Sequence, residues 1–212
     1  MVKNKPNVLI YGDSNTWGYV PSITPYIGDD NKTKRYKDKN IYYNYLRKDF
    51  NLIVNGLNGR CINNDHPLYS GRNSLLTIDK DLECINNLDI VMIMLGTNDF
   101  KDIYKLSNED ILNNLDKLVQ VFINKYHPIV VLVAPPRIIE AKISDEKYTD
   151  GLNRTIDYSK KLEEYCNKKG YVFVNSSDID IGCDGMHLTK KGHKKLGKKL
   201  KKKLEESKYG ME

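Results

Sequence analysis

The sequence predicts an α/β protein: a three-layer α/β/α sandwich built on a five-stranded parallel sheet. Two observations carry that expectation. Short β-branched runs at 7–11, 52–54, 89–95, 129–134 and 171–174 read as buried strands. Helical patterns at about 41–49, 74–88, 107–126, 150–169 and 189–206 alternate with them, and such alternation requires parallel pairing through right-handed crossovers. No internal repeat, low-complexity linker or Pro/Gly/Ser-rich boundary interrupts the pattern, so residues 1–212 are expected to form one domain. A chain of this length can bury roughly 70% of its unfolded surface, enough for one sizeable core.

Ser107 and Thr189 stand where N-caps belong, just ahead of the third and fifth helical patterns. The last helix carries Leu196, Leu200 and Leu204 as a narrow apolar seam, with lysines on its other faces. Of the 34 Lys and Arg residues, ten lysines lie in 188–212 against three acids, so a chain of net charge +6 is close to neutral, at −1, without that segment. A solvated face on a docked helix is the simpler reading. Contact with nucleic acid or an anionic membrane surface is the functional alternative.

Composition excludes several classes. With 40% hydrophobic and 29% charged residues the chain is neither disordered nor fibrous. Its longest apolar runs are six residues, far short of the ~20 a bilayer-spanning helix needs. The first residues lack the apolar core of a secretory leader, which makes a cytoplasmic location the expectation. Cys61, Cys84, Cys166 and Cys183 show neither metal-ligand nor redox spacing and read as reduced thiols, with no metal expected. No glycine-rich phosphate motif is present, so no cofactor is expected.

In parallel α/β sheets ligands bind beyond the carboxyl ends of the strands, and those segments hold the informative residues. After the first strand comes Gly12-Asp13-Ser14-Asn15-Thr16-Trp17-Gly18, which sets a serine where the chain must turn. After the second comes Asn55-Gly56-Leu57-Asn58-Gly59-Arg60, in which Gly59 can offer a backbone N–H at close approach. After the third comes Gly96-Thr97-Asn98-Asp99, and the Asn98 amide is a donor that does not titrate. The loop before the last helix reads Asp184-Gly185-Met186-His187-Leu188, a spacing that can set the carboxylate against one imidazole nitrogen. Each segment alone is an ordinary loop. Together they supply a nucleophile, oxyanion donors, a base and an acid. His66, His127 and His193 read as structural.

These blocks, in this order, resemble the SGNH hydrolase superfamily, also called GDSL esterases, whose four signature residues match Ser14, Gly59, Asn98 and His187, with Asp184 as the acid. The longer strings Tyr11–Tyr19, Gly56–Arg60 and Met94–Lys101, with Ala134-Pro135-Pro136, are similar to the bacterial arylesterase and acyltransferase branch. Departures stand at Cys61 and Ile62, where that branch carries threonines, and at Tyr42 and Tyr43, where it carries a tryptophan. The resemblance implies a flavodoxin-like fold and a cofactor-free serine esterase acting on small acetyl or aryl esters, with acyl transfer as a possible second outcome. It implies Ser14, Asp184 and His187 as catalytic residues, an oxyanion hole from Ser14, Gly59 and Asn98, and a homo-oligomer. Trp17, Phe100 and Met186, neighbours of these positions in sequence, are candidate pocket residues. A carbohydrate O-deacetylase and a non-catalytic binding module remain the alternatives. The 19–40 segment reads as a surface excursion near the site.

Overall fold

A computed structural model describes residues 5–22, 34–66, 69–139 and 147–209. The five strands are β1 (Asn7–Gly12), β2 (Asn51–Gly56), β3 (Ile90–Met94), β4 (Ile129–Val133) and β5 (Val172–Val174), all parallel, in the order β2-β1-β3-β4-β5. Alternate residues of the central strands enter opposite cores, as the two-residue period of a strand dictates. Leu9, Tyr11, Val91, Ile93, Val130 and Leu132 face one side. Val8, Ile10, Ile90, Met92, Val131 and Val133 face the other.

Helices cover both faces. The first core is closed by α2 (Ser74–Asp81), α3 (Asn108–Tyr126) and α4 (Gly151–Lys169), through residues such as Ile78, Leu118, Phe122 and Leu162. The second is closed by α5 (Lys190–Leu204), whose Leu196, Leu200 and Leu204 seam packs on it as its spacing predicts. The expected caps are in place. The Ser107 hydroxyl accepts the Asp110 N–H while the Asp110 carboxylate accepts the Ser107 N–H, and Thr189 Oγ1 accepts the Gly192 N–H at 2.9 Å.

Two expected helices are corrected. Residues 41–49 form no α-helix; the segment folds as short 3₁₀ turns, Asp38–Asn40 and Tyr42–Leu46. Aromatic side chains are indifferent helix formers, and here tertiary anchors decide: the Tyr42 hydroxyl meets Thr16 Oγ1 at 2.8 Å and the Tyr43 hydroxyl accepts from Arg35 at 3.0 Å. The pattern at 74–88 is helical only to Asp81, because the Glu83 and Ile85 N–H groups turn to carbonyls three residues back and tighten the chain into turns. Leu82, Ile85 and Leu88 still reach the core from the turns that follow, so their spacing reflected burial rather than helix.

The lysine face of α5 is partly tied down. Lys195 and Lys199 pair with Asp178, Lys201 with Asp49 and Lys191 with Asp180. Such exposed pairs add little stability. All four cysteines are free thiols. No helix among the described residues is long and apolar enough to cross a membrane.

The strand order reverses between β1 and β3, and the crevice opened there is where this class of sheet binds ligands.

Candidate functional site

The site begins at that crevice, with a one-turn helix. Asp13 caps α1 (Ser14–Trp17) by accepting the Asn15 N–H at 2.9 Å, and Gly18, at φ +95°, closes the turn. The sequence reading missed this helix, because one turn leaves no periodicity. It packs hard on the strand ends. A Cβ at Gly12 would lie 2.1 Å from Thr16 Oγ1 and one at Gly56 would lie 2.4 Å from the Trp17 nitrogen, so glycine at these paired positions is what lets α1 sit there.

Ser14 Oγ lies 2.8 Å from His187 Nε2, and His187 Nδ1 lies 3.0 Å from Asp184 Oδ2. The loop holding Asp184 and His187 is braced from several sides. Asp184 Oδ1 accepts the backbone N–H groups of Met186 and His187, and Oδ2 also accepts the Ser22 N–H at 3.2 Å. Burial pushes the Asp184 carboxyl up, but the His187 hydrogen bond and charge, with these N–H donors, outweigh it and hold the group below its ordinary value. The Tyr19 ring stacks on the imidazole at 4.3 Å. Asn15 clamps the same loop to α1, its Oδ1 accepting the Leu188 N–H at 2.9 Å.

Gly59 and Asn98 converge on Ser14. Gly59 takes φ +74°, a left-handed conformation that favours glycine, and neither its N–H nor that of Ser14 is engaged by a backbone carbonyl among the described residues. Asn98 Nδ2 donates to the Arg60 carbonyl at 3.1 Å, which fixes the amide and leaves its second hydrogen for a ligand. Arg60 ties the loop to the sheet: almost fully buried, it donates to the Gly12 and Asn55 carbonyls, lies 4.1 Å over the Tyr11 ring and pairs with Asp81. Asp99 ties the same loop to β3, its carboxylate accepting the Ile62 N–H at 3.0 Å, and burial pushes that carboxyl up to about 7.

Ser14, Gly59, Asn98, Met186 and His187 line one cavity of about 300 Å³, with Tyr19, Asn58, His66, Tyr69, Arg72, Thr97, Lys101 and Tyr148. Two expected pocket residues lie elsewhere. Phe100 is fully buried in the core, edge-on to Tyr158. Trp17 lines a separate recess with Arg35, Asp38, Tyr43 and Arg47, on the outer side of α1. Both are sequence neighbours of the site whose chains turn away from it. His66, read as structural, is in the cavity wall. Asn15, Tyr19, Arg60 and Arg72 were given no role by the sequence reading; Asn15, Tyr19 and Arg60 lay inside the quoted motifs, whereas Arg72 reaches the site only through folding. The 19–40 segment leaves and returns at a bridge between Tyr19 and Arg35, and its residues 23–33 lie outside the described residues.

An imidazole held between a serine hydroxyl and a buried carboxylate can take the serine proton, with donors nearby for negative charge on a carbonyl oxygen. The family model for GDSL-like lipases/acylhydrolases matches residues 8–200, almost the whole chain. The chain belongs to that family. Its fold is shared with the M. smegmatis aryl esterase, at 26% identity and a TM-score of 0.83 over 95% of this chain and 99% of the other. A carbohydrate acetylesterase from Sinorhizobium meliloti matches equally, at 26% identity and a TM-score of 0.83 over 96% and 100%. A sequence comparison with curated proteins finds no match. Membership makes this GDSL-family chain a serine ester hydrolase in an α/β fold, as the sequence motifs imply.

Proposed function

We propose that this GDSL hydrolase cleaves small carboxylic esters through an acyl-enzyme on Ser14. The observation that carries the reading is the unbroken line from Ser14 Oγ through His187 to Asp184, at 2.8 and 3.0 Å. Ser14 Oγ attacks the ester carbonyl carbon as His187 Nε2 takes its proton. The oxyanion receives hydrogen bonds from the Ser14 and Gly59 N–H groups and the Asn98 amide. Collapse breaks the bond to the alcohol, which leaves with the proton held by His187. Water then attacks the acyl carbon with His187 again as base, and Ser14 is restored. Asp184 keeps the imidazole in the required tautomer. An alcohol bound in place of that water would give acyl transfer by the same steps.

The cavity suits a short acyl group, and the acetylesterase among its structural neighbours supports that reading. The test is turnover of 4-nitrophenyl acetate with intact mass spectrometry. Acetate release together with an acetyl adduct on Ser14, both lost in Ser14→Ala, is the expected result. Undiminished turnover by Ser14→Ala sinks the proposal.

A further inference from the structure

Among the described residues, the wall of the site cavity is charged in one sense only. Arg72 and Lys101 contribute cations to it, and none of its thirteen lining residues is acidic. Lys101 is buried to 4% exposure, and Arg72 is half-buried. Arg72 is set against the oxyanion loop: a Cβ built on Gly59 would lie 3.8 Å from both its Cδ and its Nε. Its backbone N–H donates to Asp65, but no ion pair or side-chain hydrogen bond engages its guanidinium among the described residues. The other arginine of this region, Arg60, is spent on Asp81, Gly12 and Asn55. The carboxylates nearest the nucleophile, Asp13, Asp99 and Asp184, are fully buried behind the cavity, and Asp184 is matched by His187. Asn58, another lining residue, has its Oδ1 buried with no partner among the described residues. A plain aryl ester would leave the Arg72 guanidinium without a match.

We propose that Arg72 is a specificity residue and that the preferred substrates are esters carrying a carboxylate, which the guanidinium pairs with while Ser14 attacks the ester carbonyl. The inference rests on the esterase reading above. A planar guanidinium with an open fork suits a carboxylate, and pairing in a half-buried recess is stronger than on an open surface. Lys101 adds positive potential without having to touch the ligand.

The carboxylate can sit on either half of the ester, and two arms separate these cases. One compares 3-acetoxybenzoate with phenyl acetate, which puts the charge on the alcohol half. The other compares mono-4-nitrophenyl succinate with 4-nitrophenyl butyrate, which puts it on the acyl half. In each arm kcat/KM is divided by the rate of hydroxide-catalysed hydrolysis. The expected result is a preference for the charged ester in one arm of about tenfold, a ratio that falls about tenfold in Arg72→Gln, is partly restored in Arg72→Lys, and shrinks with added salt. Arg72→Met serves the same comparison should Arg72→Gln fail to fold. A working esterase with no charge preference in either arm, or a ratio that survives loss of Arg72, overturns this inference alone. No turnover of any of the four esters and no adduct on Ser14 overturns the esterase reading, and this inference with it.

Discussion

The side-chain oxygen of Asn15 accepts the Leu188 N–H at 2.9 Å, joining the residue after the candidate nucleophile to the residue after the candidate base across 173 positions of sequence. Both residues are buried. The bond spans the two segments whose separation sets the Ser14–His187 distance, so it is a positioning device for that pair.

Asn15→Ala is therefore expected to act twice. The Leu188 N–H is left buried without a partner, which costs about 1–3 kcal/mol of stability. Loss of the clamp lets the loop shift, and a displacement of even about 1 Å can lower kcat up to about 100-fold. Denaturant melts and steady-state kinetics check both, with KM moving much less than kcat. An unchanged kcat would mean that the Asp184 contacts hold the loop alone.

Asn98→Ala removes a neutral donor from the cavity and also the bond to the Arg60 carbonyl. In the proposed mechanism kcat falls by about 100-fold to 1000-fold, the usual effect of losing one oxyanion donor. Acetyl-adduct formation in single-turnover mass spectrometry slows by the same factor. A change confined to KM would assign Asn98 to binding instead.

His193 gives a pH dependence whose sign is fixed. It is fully buried between the Tyr42 and Tyr36 rings, neither ring nitrogen has a hydrogen-bond partner among the described residues, and burial lowers its pKa from 6.5 to about 3. Below pH 6.5 the unfolded chain binds a proton here that the folded chain refuses, so stability is lost as pH falls from 6.5 toward 3. At pH 5 this group alone costs about 2 kcal/mol relative to neutral pH. His193→Phe removes that dependence, and its stability relative to wild type rises by about that amount between pH 8 and pH 5. Urea unfolding at the two pH values measures it. Equal offsets at both would show that His193 already protonates in the fold.

Gly197→Ala sets two magnitudes against each other. In an exposed helix interior the change gains up to about 1 kcal/mol. On α5, however, the new Cβ would lie 2.6 Å from the Tyr42 carbonyl oxygen and 2.4 Å from the Tyr45 ring. Backbone cannot yield cheaply, and overpacking of this kind costs about 1–3 kcal/mol. A lower melting temperature is expected; a higher one would mean that the 3₁₀ segment moves freely against α5.

The sequence by itself determined the strands and most helices, because alternating burial writes a two-residue period and helix docking writes the Leu196, Leu200, Leu204 spacing. It also placed Ser14, Gly59, Asn98, Asp184 and His187 at strand ends and loops, where glycine and short polar side chains leave a local mark. Tertiary structure decided the rest. Tyr19, His66 and Arg72 reach the cavity from segments with no period of their own, and Phe100 and Trp17, adjacent to it in sequence, turn into the core and the outer recess. Direction at a loop is set by what packs behind it, as Thr16 and the Met94 carbonyl pack on Gly12. That information is spread over contacts between distant residues, and no local spacing records it.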